Sequence, residues 1–201
     1  KWHLGFGEAE PVDWNQPLKP GPLELGFDYY FGVPVLNSHP PFVYVENHRV
    51  VGYDPEDPFL YGEPAETRWF QEKFGLREIG GAGKAHFRYD DRGVGTTLKD
   101  KAIDFIREPR DKPFFLYYCP TMPHANNEGW TRDRQTPDGM EVDTYGEFED
   151  RDWLPNEKGF ARMIQRIDIT VGRVLDKLDE LGIAENALVL FSSDNGADNE
   201  G

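Results

Sequence analysis

Apolar positions recur with a helical period in two stretches of the second half of the chain. Residues 156–182 carry them at steps of three and four, which predicts one long amphipathic helix. Asn156 suits the N-cap of that helix, and Gly182 suits the turn that ends it. The shorter stretch 98–107 has the same period and predicts a second helix with one core-facing side.

Two runs are continuously apolar and differ from these helices. Residues 113–119 read PFFLYYC and residues 187–191 read ALVLF, a pattern typical of strands that are covered on both faces. One predicted helix precedes each run, so we expect parallel strands joined by crossover helices. The chain is therefore predicted to be α/β, with part of a mainly parallel central sheet, helices on both faces, and truncation at both ends.

The first half of the chain is organised differently. Residues 1–95 are rich in proline and aromatic side chains and predict a loop-rich segment, whereas residues 96–201 predict a helix–strand–helix–strand core. Within the loop-rich segment, residues 42–51 (FVYVENHRVV) alternate with a period of two around Asn47 and His48. This alternation predicts a hairpin or a pair of edge strands.

Composition and charge exclude several classes of partner. The 201 residues carry a formal net charge of −15, which argues against a surface for nucleic acid or for an anionic membrane. No apolar run approaches the roughly 18 residues of a membrane span. The chain has one cysteine, Cys119, so it forms no internal disulfide. A small anionic substrate remains compatible, because a few local cations outweigh a distant acidic surface.

Polar residues follow each predicted strand at its carboxyl end. His124 follows the first strand in the segment PTMPHAN, and the sequence SSDNG with Asp194 and Asn195 follows the second. Ligand sites in parallel sheets lie at this edge. The carboxylate of Asp194 beside the amide carbonyl of Asn195 suits Ca²⁺ or Mg²⁺. The alternative is an Asx-type turn in which Gly196 supplies a positive φ.

The start of the chain places a cation and an imidazole two residues apart, at Lys1 and His3. In an extended segment, side chains with this spacing lie on one side, so both can face one anion. The alternative is an exposed lysine and a packed histidine.

These motifs, taken in order, resemble one enzyme family. The segments that carry the resemblance are KWHLG, GFDYYFG, PFFLYY with PHAN, VGRVLDKLDELG and LVLFSSDNG. Together they span nearly the whole chain, which resembles the central part of the catalytic domain of a type I sulfatase, the formylglycine-dependent branch of the alkaline phosphatase superfamily. The resemblance implies hydrolysis of sulfate monoesters by a longer, exported protein (periplasmic, extracellular or lysosome-like).

The resemblance also implies roles for individual residues. Lys1 and His3 would contact the sulfate ester, and His124 would bind sulfate or donate a proton to the leaving alcohol. Asp194 and Asn195 would be two ligands of a divalent cation, most often Ca²⁺, with Mg²⁺ as the alternative. The formylglycine nucleophile is expected upstream of this chain, so these 201 residues alone are expected to be inactive.

Cys119 does not replace that nucleophile, because the family's modification motif, Cys or Ser followed by x-Pro/Ala-x-Arg, is absent around it. We interpret Cys119 as a packing residue. Two alternatives stay open at this point. One is a phosphodiesterase or phosphonate hydrolase of the same superfamily, and the other is a non-catalytic paralogue that binds sulfated glycans. A sulfated small molecule, glycan or lipid is expected as the substrate.

Overall fold

The computed structural model describes residues 2, 4–8, 12–34, 41–61, 79–125 and 139–196. The strands in these ranges are β1 Phe31–Gly32, β2 Val45–Glu46, β3 Arg49–Val50, β4 Phe59–Tyr61 and β5 Ile79–Gly81. The helices are α1 Gly83–Phe87, α2 Val94–Arg107 and α3 Pro155–Glu180. The chain divides into two compact units, with the boundary between Val94 and Gly95.

The first unit contains two small antiparallel sheets. β1, β2 and β3 form one, in which Val45 pairs with Gly32 on one side and Val50 on the other, and β4 pairs with β5. The predicted hairpin is confirmed, since β2 and β3 are joined by Asn47 and His48. Asn47 has a φ of 54°, a conformation that asparagine tolerates better than most residues.

Buried aromatic and aliphatic side chains from the loops hold the first unit together. They cluster around the sheets and α1, where Val43 and Val45 are fully buried. The other buried members of this core are Phe6, Trp14, Leu18, Val50, Phe59, Ala82 and Ala85. Short strands stabilise little by themselves, so the packing of these side chains explains why a segment with so little regular structure is ordered.

In the second unit, α3 confirms the long helix that the apolar period predicts. The predicted N-cap is wrong, because the helix begins at Pro155 and Leu154 is the N-cap. The backbone N–H of Leu154 donates to the Glu157 carboxylate at 3.0 Å. Proline is favoured at the first helical position, where no N–H is needed, and this moves Asn156 inside the helix.

The end of α3 agrees with the prediction for Gly182, which has a φ of 67°. The backbone N–H of Gly182 donates to the carbonyl of Asp179 at 2.9 Å, and that of Ile183 donates to the carbonyl of Leu178 at 3.0 Å. These two bonds form a Schellman motif, which satisfies carbonyls that the helix leaves without a partner.

The two predicted central strands are not strands among the described residues. Residues 113–119 and 187–191 have no ladder hydrogen bonds, and Leu188 and Leu190 are 86% and 84% exposed. An extended segment becomes a strand only when a neighbouring strand supplies partners for its N–H and C=O groups. The described ladders, all of them antiparallel, lie within the first unit, and none reaches these two segments.

Residues 141–152, an acidic segment that precedes α3, pack against that helix. Asp143 forms an ion pair with Arg166, and Glu147 accepts a hydrogen bond from Gln165. Lys158 donates to the backbone carbonyl of Glu149 at 2.8 Å. The segment is therefore held to the helix surface by named polar contacts. No helix in the described part of the chain is long and apolar enough to cross a membrane.

Candidate active site

His124 lies in the turn that follows residues 113–119 and is half-buried. Its backbone N–H donates to the carbonyl of Thr121 at 3.1 Å, and its ring Nδ1 lies 2.6 Å from the carbonyl oxygen of Ala125. Because a carbonyl oxygen only accepts, Nδ1 must carry the hydrogen in this contact. The contact selects the tautomer whose Nε2 has a lone pair, and leaves Nε2 as the atom that can meet a ligand.

Asp194 and Asn195 follow the second apolar segment and are exposed. The Asn195 side-chain Nδ2 donates to the carbonyl of Gly196 at 2.8 Å, and the Ser193 hydroxyl donates to the carbonyl of Asn195 at 2.7 Å. The first bond holds the side-chain amide of Asn195 through its nitrogen atom, and the second holds the main chain of Asn195. Its Oδ1 and the Asp194 carboxylate therefore remain as two oxygen donors on consecutive residues.

An electrostatic interaction links Asp194 with the first apolar segment. A hydrogen bond with Cys119 and the electrostatic influence of Cys119, together with burial and the negative charge of Asp194, raise the pKa of Tyr117. Asp194 is therefore within electrostatic range of the segment that leads into His124. Cys119 has a polar neighbour in Tyr117 and is half-buried, so it is less of a pure packing residue than the sequence predicted.

The oxygen donors suit a hard divalent cation by their chemistry, but they are few. Ca²⁺ takes six to eight oxygen ligands, and Asp194 with Asn195 supplies two. Among the described residues, no group of three or more histidine, cysteine, aspartate or glutamate side chains could hold a metal ion. The residues present fit part of a cation site, and the rest of a ligand shell would have to come from beyond the described residues or from water.

No sequence motif singles out Tyr118, whose phenol oxygen is buried, whereas Tyr117 is 68% exposed. Burial, with a further contribution from the charge of Asp100, raises the pKa of Tyr118 to about 12, while Thr170 of α3 opposes this shift. The phenol therefore stays neutral and lies buried near Thr170 of α3, and its oxygen has no hydrogen-bond partner among the described residues. Period-two alternation in an extended segment places Tyr118 opposite its two neighbours, so the pattern YYC indicates only that the two tyrosines differ in exposure.

Lys1 and His3 lie outside the described residues, so their predicted contacts with an anion stay predictions. The residue between them is placed in the first unit. The backbone N–H of Trp2 donates to the carbonyl of Val33 at 3.2 Å, and its indole N–H donates to the carbonyl of Gly5 at 2.7 Å. The Trp2 ring meets Tyr30 edge-on, with centroids 6.2 Å apart.

Comparison with known proteins gives a consistent result along the chain. The family described as Sulfatase matches residues 1–201. An N-acetylgalactosamine-6-O-sulfatase of Bacteroides thetaiotaomicron is 27% identical over 223 residues, which cover 98% of this chain and 39% of that protein. The human N-acetylgalactosamine-6-sulfatase is 26% identical over 200 residues, covering 98% of this chain and 29% of that protein.

A solved structure has a fold similar to that of this chain. It comes from a study of the metabolism of multiple glycosaminoglycans by Bacteroides thetaiotaomicron and superposes with a TM-score of 0.63 at 23% identity. The match covers 92% of this chain and 39% of that one. The chain thus spans less than two-fifths of the length of these relatives, and the predicted α/β class is confirmed.

Proposed function

Because the chain belongs to the sulfatase family, we propose that the protein containing it is a sulfuric ester hydrolase that cleaves sulfate monoesters. The observation that carries this proposal is the family match over all 201 residues. The named relatives are sulfatases as well, and they do not favour a phosphodiester hydrolase or a non-catalytic glycan-binding protein.

The proposed substrate class is a sulfated glycan, with a 6-sulfated N-acetylgalactosamine unit as the first candidate. This proposal is supported by the names of the relatives that align over 98% of the chain, one bacterial and one human. It is also supported by the glycosaminoglycan context of the structural neighbour. By the same family relationship, we propose that the whole protein is exported.

The chemistry assigned to His124 follows from its geometry. Nδ1–H is engaged by Ala125, so proton exchange with a ligand takes place at Nε2. In the protonated ring, Nε2–H donates its proton to the bridging oxygen of the ester while the nucleophile bonds to sulfur and the S–O bond breaks. The bridging oxygen then leaves as part of the alcohol. Lys1 and His3 are proposed to contact the sulfuryl oxygens, where positive charge opposes the charge that builds up during the reaction.

Sulfatases generally use a divalent cation and a formylglycine. Asp194 and Asn195 are proposed to hold the cation, most readily Ca²⁺, through one carboxylate and one amide oxygen. A bound cation would supply positive charge for the sulfuryl group and the nucleophile. The formylglycine is proposed to lie in a part of the protein outside this chain.

The test uses the full-length protein and a set of sulfate esters. We expect release of inorganic sulfate from 6-sulfated N-acetylgalactosamine, with kcat for His124→Ala lower by about 10²- to 10⁴-fold, the usual contribution of a positioned proton donor. His48→Ala is the matched control, because His48 is bonded to Glu24 in the first unit. Hydrolysis of phosphodiesters without release of sulfate from any ester would refute the proposal.

A further inference from the structure

All three methionines of the chain pack into one cluster that includes the neighbour of His124. This methionine cluster consists of Met122, Ala125, Met140, Val142, Phe160 and Met163. Met140 and Met163 are 2% and 7% exposed. Methionine is unbranched and adapts to irregular gaps, so its position depends on the shape of the surfaces around it.

Two helix glycines shape those surfaces. A Cβ atom on Gly95 of α2 would overlap the terminal methyl group of Met122 and would lie 3.1 Å from its sulfur. A Cβ atom on Gly159 of α3 would overlap the carbonyl oxygen of Met140 and would lie 2.9 Å from its Cβ. Each helix therefore lacks a side chain at the point where a methionine comes closest.

The cluster reaches His124 from both sides. Met122, two residues before it, contacts Gly95, and Ala125, directly after it, is 5% exposed within the cluster. The carbonyl of Ala125 accepts the hydrogen bond from Nδ1 of the His124 ring. The ring is thus bonded to the backbone of a residue whose side chain is packed against Met140 and Met163.

We propose that Gly95 and Gly159 are positioning residues for His124, which they hold in place through Met122 and through Met140 with Ala125. The inference rests on the proposed catalytic role of His124. A methyl group at Gly95 displaces the side chain of Met122, and one at Gly159 displaces the backbone of Met140. The displaced backbone of Met140 shifts Ala125, whereas the flexible end of the Met122 side chain yields more easily, so the Nδ1 hydrogen bond lengthens more in Gly159→Ala than in Gly95→Ala.

The experiment compares Gly95→Ala and Gly159→Ala with Gly172→Ala in the full-length protein. Gly172 lies on α3, and a Cβ there meets no atom within 4 Å, so this variant controls for the change of glycine to alanine in a helix. We measure kcat and KM on a sulfate ester, and the ¹⁵N shifts of the His124 ring, which report its tautomer. We expect kcat to fall about tenfold or more in Gly159→Ala and by a smaller factor in Gly95→Ala, whose Cβ meets only the end of the Met122 side chain, with a mixed tautomer and an unchanged KM in both.

Met122→Leu tests the same idea without a steric clash, because leucine is similar in volume but shorter. It is expected to weaken the Nδ1 bond and lower kcat while the protein stays folded. If the three test variants keep the wild-type tautomer and the kcat of Gly172→Ala, the positioning role is refuted. If no sulfate ester is cleaved, the proposed function fails, and the ring shifts still decide whether the glycines position His124.

Discussion

The side chain of Asn15 pairs with the backbone of Phe59 as a neighbouring strand would. Its Nδ2 donates to the carbonyl of Phe59 at 3.0 Å, and its Oδ1 accepts from the N–H of Phe59 at 2.8 Å. Phe59 begins β4 and is 2% exposed. Forty-four residues separate the two partners, so this one amide fixes a loop to the edge of a sheet in the first unit.

Replacing Asn15 by alanine is expected to lower the free energy of unfolding by about 2 kcal/mol, because two partly buried backbone groups lose their partners. Asn15→Asp keeps the acceptor and loses the donor at pH 7. Protonation of the carboxyl group restores a donor, so this variant is expected to recover part of the loss at pH 4 relative to Asn15→Ala.

Denaturant unfolding of each variant measures these differences. Asn186→Ala is the control, since Asn186 is exposed and its replacement should change the stability by less than about 0.5 kcal/mol. Equal stability of Asn15→Ala and Asn186→Ala would show that the pairing with Phe59 contributes nothing.

Gly182 and Gly172 should respond in opposite directions to the same substitution. Gly182→Ala forces a side chain into a φ of 67° and is expected to cost about 1 kcal/mol. Gly172→Ala, in the interior of α3 with no atom within 4 Å of the new Cβ, is expected to stabilise by about 0.5–1 kcal/mol. Thermal unfolding of both variants tests the pair, and a lower melting temperature for Gly172→Ala would contradict the second prediction.

His86 gives the first unit a sensitivity to acid. Its ring is 6% exposed, its Nδ1 donates to the carbonyl of Phe42 at 3.2 Å, and it meets Phe59 edge-on. Among the described residues its Nε2 has no hydrogen-bond partner. Burial lowers the pKa of His86 from its ordinary value of 6.5, although the Phe42 carbonyl and the charge of Asp57 oppose this shift.

The direction of the pH effect follows from proton binding. Below about pH 6.5 the unfolded chain binds a proton at this histidine that the folded chain binds only at lower pH, so stability falls as the pH is lowered. For this one group the loss between pH 7.5 and 5 is at most about 2 kcal/mol. Above about pH 7.5 the histidine is neutral in both states and contributes no dependence on pH.

His86→Gln is expected to remove this part of the acid sensitivity, because glutamine retains a donor for Phe42 and does not titrate. Unfolding free energies at pH 5 and 7.5 give the measurement. His48→Gln serves as the control, since His48 is bonded to Glu24 by its Nε2, and it should keep the acid sensitivity due to His86. An unchanged pH dependence in His86→Gln would disprove the assignment.

Asp194→Asn tests the proposed cation site by a measurement other than activity. Loss of a carboxylate charge should weaken Ca²⁺ binding at least about tenfold. The measurement is the melting temperature of the full-length protein as Ca²⁺ is added, and the variant should need a higher Ca²⁺ concentration to reach half of the stabilisation. A chelator should lower the melting temperature of the wild type more than that of the variant. Asp176→Asn, on the exposed side of α3, is the control, and identical Ca²⁺ titrations for both variants would rule out Asp194 as a ligand.

Local pattern was sufficient for part of the fold. The apolar period predicts α3, the glycine after it predicts the Schellman motif at Gly182, and the alternation around Asn47 predicts the hairpin. In each case the residues that interact are a few positions apart, so one short stretch contains both partners. The ordered set of longer motifs also identified the sulfatase family from the sequence.

Other features depend on partners that are distant in sequence. Residues 113–119 and 187–191 have the composition of strands, yet strand pairing needs neighbours that no local pattern specifies. The N-cap of α3 moved to Leu154 because Glu157 and Pro155 favour a start there over Asn156. In each case local sequence preference does not distinguish two conformations, strand or unpaired segment, or one helix start or another. The contacts that the segment makes decide between them.

The candidate site shows the same division. The sequence by itself placed His124 and the pair Asp194–Asn195 after apolar segments, since polar residues that follow an apolar run are visible as motifs. Only the tertiary structure decided which ring nitrogen of His124 is engaged and brought Tyr117 within electrostatic range of Asp194. It alone revealed why Gly95 and Gly159 have no side chain, because hydrogen bonding and close packing act between atoms in space, whatever their separation along the chain.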